Sequence, residues 1–295
     1  MSTITKVAVA GATGNVGPAV VNQLVQDGFK VTVLLRKGRS HSFPSSVAIV
    51  EVDYESPESL FKALEGQDAV VSAVGFTGLP QQIPLIRAAV KAGVKRFLPS
   101  EFGGDAENEK ANHLPPFHAK KEISDALKKE AASGTLTYSL VSTGPFLDMG
   151  LQHGFIMSLK NKSINLFDGG DRPFSTSSIP AVAKAVSGVL KHPEETKNRN
   201  VFVHVALTTQ NELLEKAKKV LGPEGWQSKD VSTDDALKQA YAKFEQGEID
   251  RIGFISAAIW GEGYGSDFKK VDNQLLGIEE LGDAEIQSLV ESLSK

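Results

Sequence analysis

Short runs of consecutive apolar residues alternate with longer amphipathic stretches through the first half of the chain. Val7–Ala10, Val31–Leu35, Val47–Val52, Ala69–Val74, Lys95–Leu98 and Thr137–Val141 read as strands. Helical spacing lies between them, from the glycine turn after Ala10 to about Gly28, over Pro57–Leu64 and Ile83–Ala92, and from Phe117 to Ala132. Strands that are apolar throughout, rather than at every second position, are those buried on both faces. Their regular alternation with helices predicts an α/β fold with a doubly wound parallel sheet and right-handed crossovers.

Beyond Gly144 the pattern loosens. Turn signals at Lys160-Asn-Lys162 and Asp168-Gly-Gly-Asp171 flank a short strand at Ile164–Phe167. Helices are expected over Pro180–Leu190, Glu212–Leu221 and Asp283–Leu293, with a strand at Val201–Val205 and a loop at Gly261–Gly265. Thr209 and Glu212 have the spacing of a capping box. The expected division is a nucleotide-binding domain over residues 1–150 and a smaller substrate lobe over 151–295, interleaved with the last elements of the first.

Composition removes several classes of function. The 295 residues carry 36 acidic and 32 basic side chains, a formal charge of −4, so nothing marks the chain for a polyanion and no nucleic-acid partner is expected. With no cysteine there is no disulfide, thiolate nucleophile or zinc–thiolate site. Six scattered histidines lack the His-Glu-x-x-His spacing, and no metal is expected. The start of the chain has no signal-peptide core, and the longest apolar run, Ile252–Trp260, is half a membrane span. The expectation is a cytoplasmic protein, a monomer or homodimer, free of membranes.

The strongest local signal is Gly11-Ala-Thr-Gly14-Asn-Val-Gly17, placed after the first strand and opening the first helix. Gly11 permits a tight turn, Gly14 lets the backbone approach a pyrophosphate, and Gly17 allows close helix–strand packing. Thr13, Asn15 and Val16 complete the loop. The second strand ends in Arg36-Lys37-Gly38-Arg39, where an NAD site carries an acid for the ribose hydroxyls. A guanidinium suits a 2′-phosphate, so NADP(H) is the expected cofactor, with Arg36 foremost and Lys37 behind it. Asp53 is either an acceptor for the adenine amine or a turn residue.

The Gly-x-x-Gly-x-x-Gly spacing is that of the short-chain dehydrogenases, yet none of Tyr54, Tyr138, Tyr241 or Tyr264 begins a Tyr-x-x-x-Lys pair. Lys95-Arg-Phe-Leu-Pro-Ser-Glu-Phe-Gly103, Phe117-His-Ala-Lys120 and Asn211-Glu-Leu213 instead make the chain resemble the atypical, NmrA-like group with a Rossmann-like fold. Within it the similarity is to the isoflavone reductase-like branch, which includes phenylcoumaran benzylic ether, pinoresinol–lariciresinol and isoflavone reductases and eugenol synthases. The resemblance implies NADPH-dependent reduction of a small aromatic or phenolic metabolite, with Lys120 as catalytic acid/base. It also implies that Ala73, Val74, Gly75, Ser100, Lys120, Thr143, Gly144, Pro145 and Phe146 lie along the cofactor. Phe102, Phe146, Met149 and Phe155 are expected to line the substrate pocket, Trp260 being a further aromatic for either pocket or core. Two arginines that commonly follow the lysine are Ser124 and Asp125 here, which leaves the substrate open. The alternative from a different class is a non-catalytic NADP(H)-sensing regulator that binds a protein partner.

Helical phase separates Lys120 from its neighbour. If Ile123, Ala126 and Leu127 face the core, Lys120 lies about 20° from Leu127 around the helix axis and Lys121 is turned away. An inward lysine either reaches solvent by laying its stem along the core or serves a site. His118 is expected to face elsewhere, and Asp234-Asp235 and Glu279-Glu280 are expected on solvated helix faces.

Overall fold

Val7, Ala8, Val9 and Ala10 are all fully buried, and the strand that they form is the centre of the molecule in the computed structural model, which describes residues 3–38 and 41–294. Arg39 lies outside the described residues. The first half runs β1 (Lys6–Ala10), α1 (Gly17–Gln26), β2 (Lys30–Arg36), β3 (Ala48–Val52), α2 (Pro57–Leu64) and β4 (Ala69–Ser72). It continues with α3 (Gln82–Lys91), β5 (Arg96–Leu98), α4 (Glu109–Asn112), α5 (His118–Ala132) and β6 (Thr137–Ser142). A helical turn over Phe76–Gln81 precedes α3.

The second half comprises α6 (Leu147–Gln152), β7 (Ser163–Phe167), β8 (Phe174–Thr176), α7 (Ile179–Lys191), β9 (Arg199–Phe202), β10 (Ala206–Thr208) and α8 (Gln210–Leu221). It closes with β11 (Gln227–Val231), α9 (Thr233–Glu245), α10 (Arg251–Trp260), α11 (Asn273–Leu276) and α12 (Asp283–Leu293).

Seven strands form one parallel sheet in the order β3-β2-β1-β4-β5-β6-β9, a Rossmann-like α/β architecture. The chain winds outward from β1 to β3 and then crosses to β4, so the sheet reverses direction of growth between β1 and β4. The crevice outside the carboxyl ends of those two strands is where such sheets take ligands. Ala10 pairs with Leu34 on one side and Ser72 on the other, placing the Gly11 turn beside Ala73.

Apolar clusters cover both faces of the sheet, one including α1 and α7, the other α2, α3 and α5. α7 is reached only after residue 150, yet it packs on α1 through Asp27, which accepts from Ser187 Oγ at 2.5 Å and pairs with Lys191 at 2.8 Å. The third cluster fills the smaller lobe around Trp260, which stacks on Phe167 at 4.7 Å and meets Phe174 edge-on. Two small sheets, antiparallel β8–β10 and parallel β7–β11, support that lobe.

Several expectations need correction. β3 is an edge strand with Ile49 47% exposed, so its apolar run does not mean burial on both faces. The strand expected at Val201–Val205 ends at Phe202, because the chain leaves the sheet there for the smaller lobe. α9 and α10 are helices to which the sequence pattern gave no bounds; Ser232 and Asp250 cap them by accepting from Asp235 and Gly253 N–H groups. Asp234 and Asp235 occupy the first turn of α9, but Glu279 and Glu280 lie between helices, Glu280 approaching His204 Nε2 at 3.4 Å. The capping box at Thr209 and Glu212 forms as the spacing indicates. No helix among the described residues is long and apolar enough to cross a membrane.

Candidate active site

Two cavities open along the carboxyl edge of the sheet. The first, about 380 Å³, follows β1, β2 and β4 and is lined by Gly11, Thr13, Gly14, Arg36, Tyr54, Ala73, Val74, Gly75 and Gln81. The glycines of the loop divide their labour. Gly11 sits at φ +76°, and a Cβ there would meet the Ala73 backbone at 2.5 Å. A Cβ on Gly17 would lie 2.2 Å from the Gly11 carbonyl, so that glycine sets how closely α1 meets the turn. At Gly14 the nearest protein atoms to a Cβ are 3.4 and 3.6 Å away. The fold therefore leaves a bare stretch of backbone there. No side chain caps α1 at Val16, so the first-turn N–H groups, absent at Pro18, meet no side-chain acceptor there.

Arg36 is exposed at the end of β2, and no carboxylate joins it in the lining. Lys37 is exposed beyond the lining. Asp53 behaves as a turn residue: its Oδ1 accepts from Glu55 N–H and its own N–H donates to Ser59 Oγ, both at 3.0 Å. Asn15 is exposed while Val16 and Gly17 are buried, all three outside the lining. Ser100 is also outside it; its Oγ donates to the Val74 carbonyl at 2.7 Å and its N–H to Gln82 Oε1, joining the ends of β4 and β5. Tyr54 and Gln81 escaped the sequence reading. Burial pushes the Tyr54 hydroxyl up to about 12, against the pull of Arg36.

The second cavity, about 370 Å³, lies past β5 and β6 and is walled mainly by apolar side chains. Phe102, Phe146, Met149 and Phe155 all line it, together with Phe117 and Lys120. Ile255 and Ile259 of α10 also line it. Trp260, 1% exposed, is absent from this lining and belongs to the core of the smaller lobe.

Helical phase places Lys120 as geometry requires. Ile123 and Leu127 are buried, Ala126 is half-buried, and Lys121 is exposed and paired with Asp125. The Lys120 side chain is 19% exposed, and its Nζ donates to the backbone carbonyl of Glu101. His118 is exposed and turned to the carbonyl of His113. The loop beneath Lys120 is pinned by Thr143 and Gly144, whose N–H groups both donate to the Gly103 carbonyl at 2.8 Å. Gly144 is left-handed at φ +66°, and a Cβ there would fall 1.9 Å from the Ser175 carbonyl. Gly144 and Pro145 line the cavity, whereas Thr143 is fully buried behind them. Phe102 carries φ +30°, a strained conformation for a residue with a side chain.

Polar groups that sequence reasoning missed include Glu101, Asp105, Asn112, His153 and Tyr264. Glu101 stood inside Pro-Ser-Glu-Phe-Gly, so a signal existed. Asp105 is bound by Asn200 Nδ2 at 2.9 Å, a contact across 95 residues that no local pattern announces. Burial raises its carboxyl above the usual aspartate value.

The description NmrA-like family matches residues 3–246 of the chain. A curated relative named oxidoreductase aprR, from Aspergillus flavus, is 33% identical, covering 98% of this chain and 99% of its own. Eugenol synthase 1 from Petunia hybrida is 32% identical over 79% of this chain and 82% of its own. Among solved structures, AtPrR2 with NADP+ and (+)pinoresinol aligns at a TM-score of 0.78 and 24% identity, over 99% of this chain and 100% of that one, a likeness of fold.

Proposed function

The chain belongs to the NmrA-like family, and from that premise we propose that it is an NADPH-dependent oxidoreductase of small metabolites, its substrate aromatic or phenolic. The observation that carries this reading is Lys120, set in an apolar cavity at the carboxyl edge of the sheet whose neighbouring crevice holds Gly14 and Arg36.

The crevice suits a dinucleotide. The bare backbone at Gly14 and the uncapped start of α1 match a pyrophosphate, and Arg36 without a carboxylate neighbour matches a 2′-phosphate. Ala73, Val74 and Gly75 line this crevice, and Gly144, Pro145 and Phe146 line the second cavity. NADPH bound there supplies a hydride for an electrophilic carbon, such as that of a quinone methide or conjugated alkene.

The protein's part is to hold the substrate dry and manage a proton. Phe102, Phe146, Met149 and Phe155 present flat and flexible apolar surface for an aromatic ring. Lys120 Nζ, held at Glu101, gives a proton to the substrate oxygen that gains charge as the hydride reaches carbon. A non-catalytic regulator gains no support from relatives named an oxidoreductase and a synthase.

Turnover of NADPH with a panel of phenolic enones and quinone methide precursors tests the reading. Lys120→Ala is expected to keep NADPH affinity and lose roughly 10²–10⁴-fold in kcat. Lys121→Ala, on the exposed side, should stay within a few-fold of the parent. Equal losses in the two variants would overturn the role of Lys120.

A further inference from the structure

Lys120 is fastened twice to one residue. Its Nζ donates to the Glu101 backbone carbonyl and lies 3.7 Å from Oε2 of the Glu101 side chain. An ammonium has three N–H donors, so this grip orients the amine and leaves donors for the cavity. The Glu101 side chain is only 5% exposed. Lys120 is the charged group that acts on it.

A carboxylate in that position is costly unless it serves a partner. It is not required to hold the loop, because the Gly103 carbonyl already anchors the segment to Thr143 and Gly144. Gly103 lies directly beside the amine, a Cβ there coming into ordinary contact with Lys120 Nζ at 3.5 Å. Asp105 from the same loop, His153 after α6 and Tyr264 after α10 are the other titratable groups of the cavity wall.

We propose that Glu101 is a positioning residue, which holds the Lys120 amine at the cavity wall in place for a bound substrate. This rests on the reading of Lys120 as the acid/base group. Burial raises the Glu101 carboxyl and Lys120 draws it back, which leaves it at about 6. Above that pH the ion pair with the amine is complete; below it the carboxyl is neutral and the grip is reduced to the backbone carbonyl.

The test follows the Lys120 Cε signal by NMR in protein labelled with ¹³C at lysine Cε, the signal being assigned by its disappearance in Lys120→Ala. Glu101→Gln, close to isosteric, is expected to move that signal toward those of the exposed lysines, as acidification of the parent through about pH 6 should also do. Glu101→Asp, which keeps the charge, should retain most of the parent signal position and covers the case in which the glutamine variant fails to fold. With a 4-hydroxyphenyl enone as acceptor, Glu101→Gln should lose about tenfold in kcat with KM nearly constant, because a released amine is out of place for proton transfer. An unmoved Lys120 signal in Glu101→Gln overturns the proposal regardless of turnover. A moved signal in Glu101→Gln, beside a parent protein that turns over no acceptor, overturns the acid/base reading and leaves the clamp standing.

Discussion

The Arg251 guanidinium lies 4.1 Å from the centre of the Phe76 ring, tying the start of α10 to the turn that follows Gly75. One end of this contact adjoins the crevice wall at Val74 and Gly75, while α10 carries Ile255 and Ile259 of the apolar cavity. Phe76 is 36% exposed, so the interaction is of the surface kind, worth about 0.5–1 kcal/mol. Arg251→Ala and Phe76→Leu should each lower the melting temperature by about 1–3 °C. Their double-mutant cycle should show a coupling of about 0.5–1 kcal/mol, and strictly additive losses would exclude the contact in solution.

Arg36 should discriminate between the two nicotinamide dinucleotides. Loss of a charge-assisted contact of about 1.5–3 kcal/mol predicts that Arg36→Ala weakens NADPH binding tenfold or more and leaves NADH nearly unchanged. Calorimetric titration of both cofactors against both proteins measures this. Equal affinities in the parent would remove the assignment of the 2′-phosphate to Arg36.

Gly14 and Gly17 should separate binding from folding. An alanine methyl at Gly14 meets no protein atom closer than 3.4 Å, whereas at Gly17 it would lie 2.2 Å from the Gly11 carbonyl and 2.6 Å from the Ala12 backbone. Gly14→Ala is expected to keep the parent melting temperature and lose NADPH affinity. Gly17→Ala should be destabilised by several kcal/mol, because backbone must move to admit the methyl. Circular dichroism melts and cofactor fluorescence distinguish the two; unimpaired binding in Gly14→Ala would place the pyrophosphate elsewhere.

Asp68 should shape the acid limb of stability. Its Oδ2 accepts from the N–H groups of Thr5 and Lys6 and from Thr5 Oγ1, and Oδ1 lies 3.3 Å from Lys95 Nζ. Burial alone would raise the carboxyl; these bonds outweigh it and hold it down to about 2. A depressed carboxylate contributes stability that is whole above its ordinary value of 3.8 and is lost as the pH falls through about 2. Asp68→Asn should cost about 1–2 kcal/mol at neutral pH and flatten denaturation between pH 4 and 2. An unchanged acid limb would show that the clip contributes nothing.

The alternation of apolar runs and helices, the loop from Gly11 to Gly17, and the inward phase of Lys120 are all readable from neighbouring residues. Each follows from local rules: strand burial, glycine sterics at a turn, and the helical repeat. The sequence by itself therefore determined the first six strands along the chain, the glycine turn after β1, and which lysine of α5 turns inward.

Tertiary structure decided what depends on distant partners. β9 enters the main sheet only because β6 offers an open edge some 60 residues earlier, pairing Ser139 with Arg199. Phe146, Met149, Phe155 and Trp260 have the same apolar character along the chain. Three line the cavity, and Trp260 is drawn into the core by Phe167 and Phe174. Glu101 and Lys120 meet across 19 residues because the loop after β5 folds under the start of α5. Hydrophobicity is non-directional, so it marks residues for burial without saying which surface they join; packing at long range makes that choice.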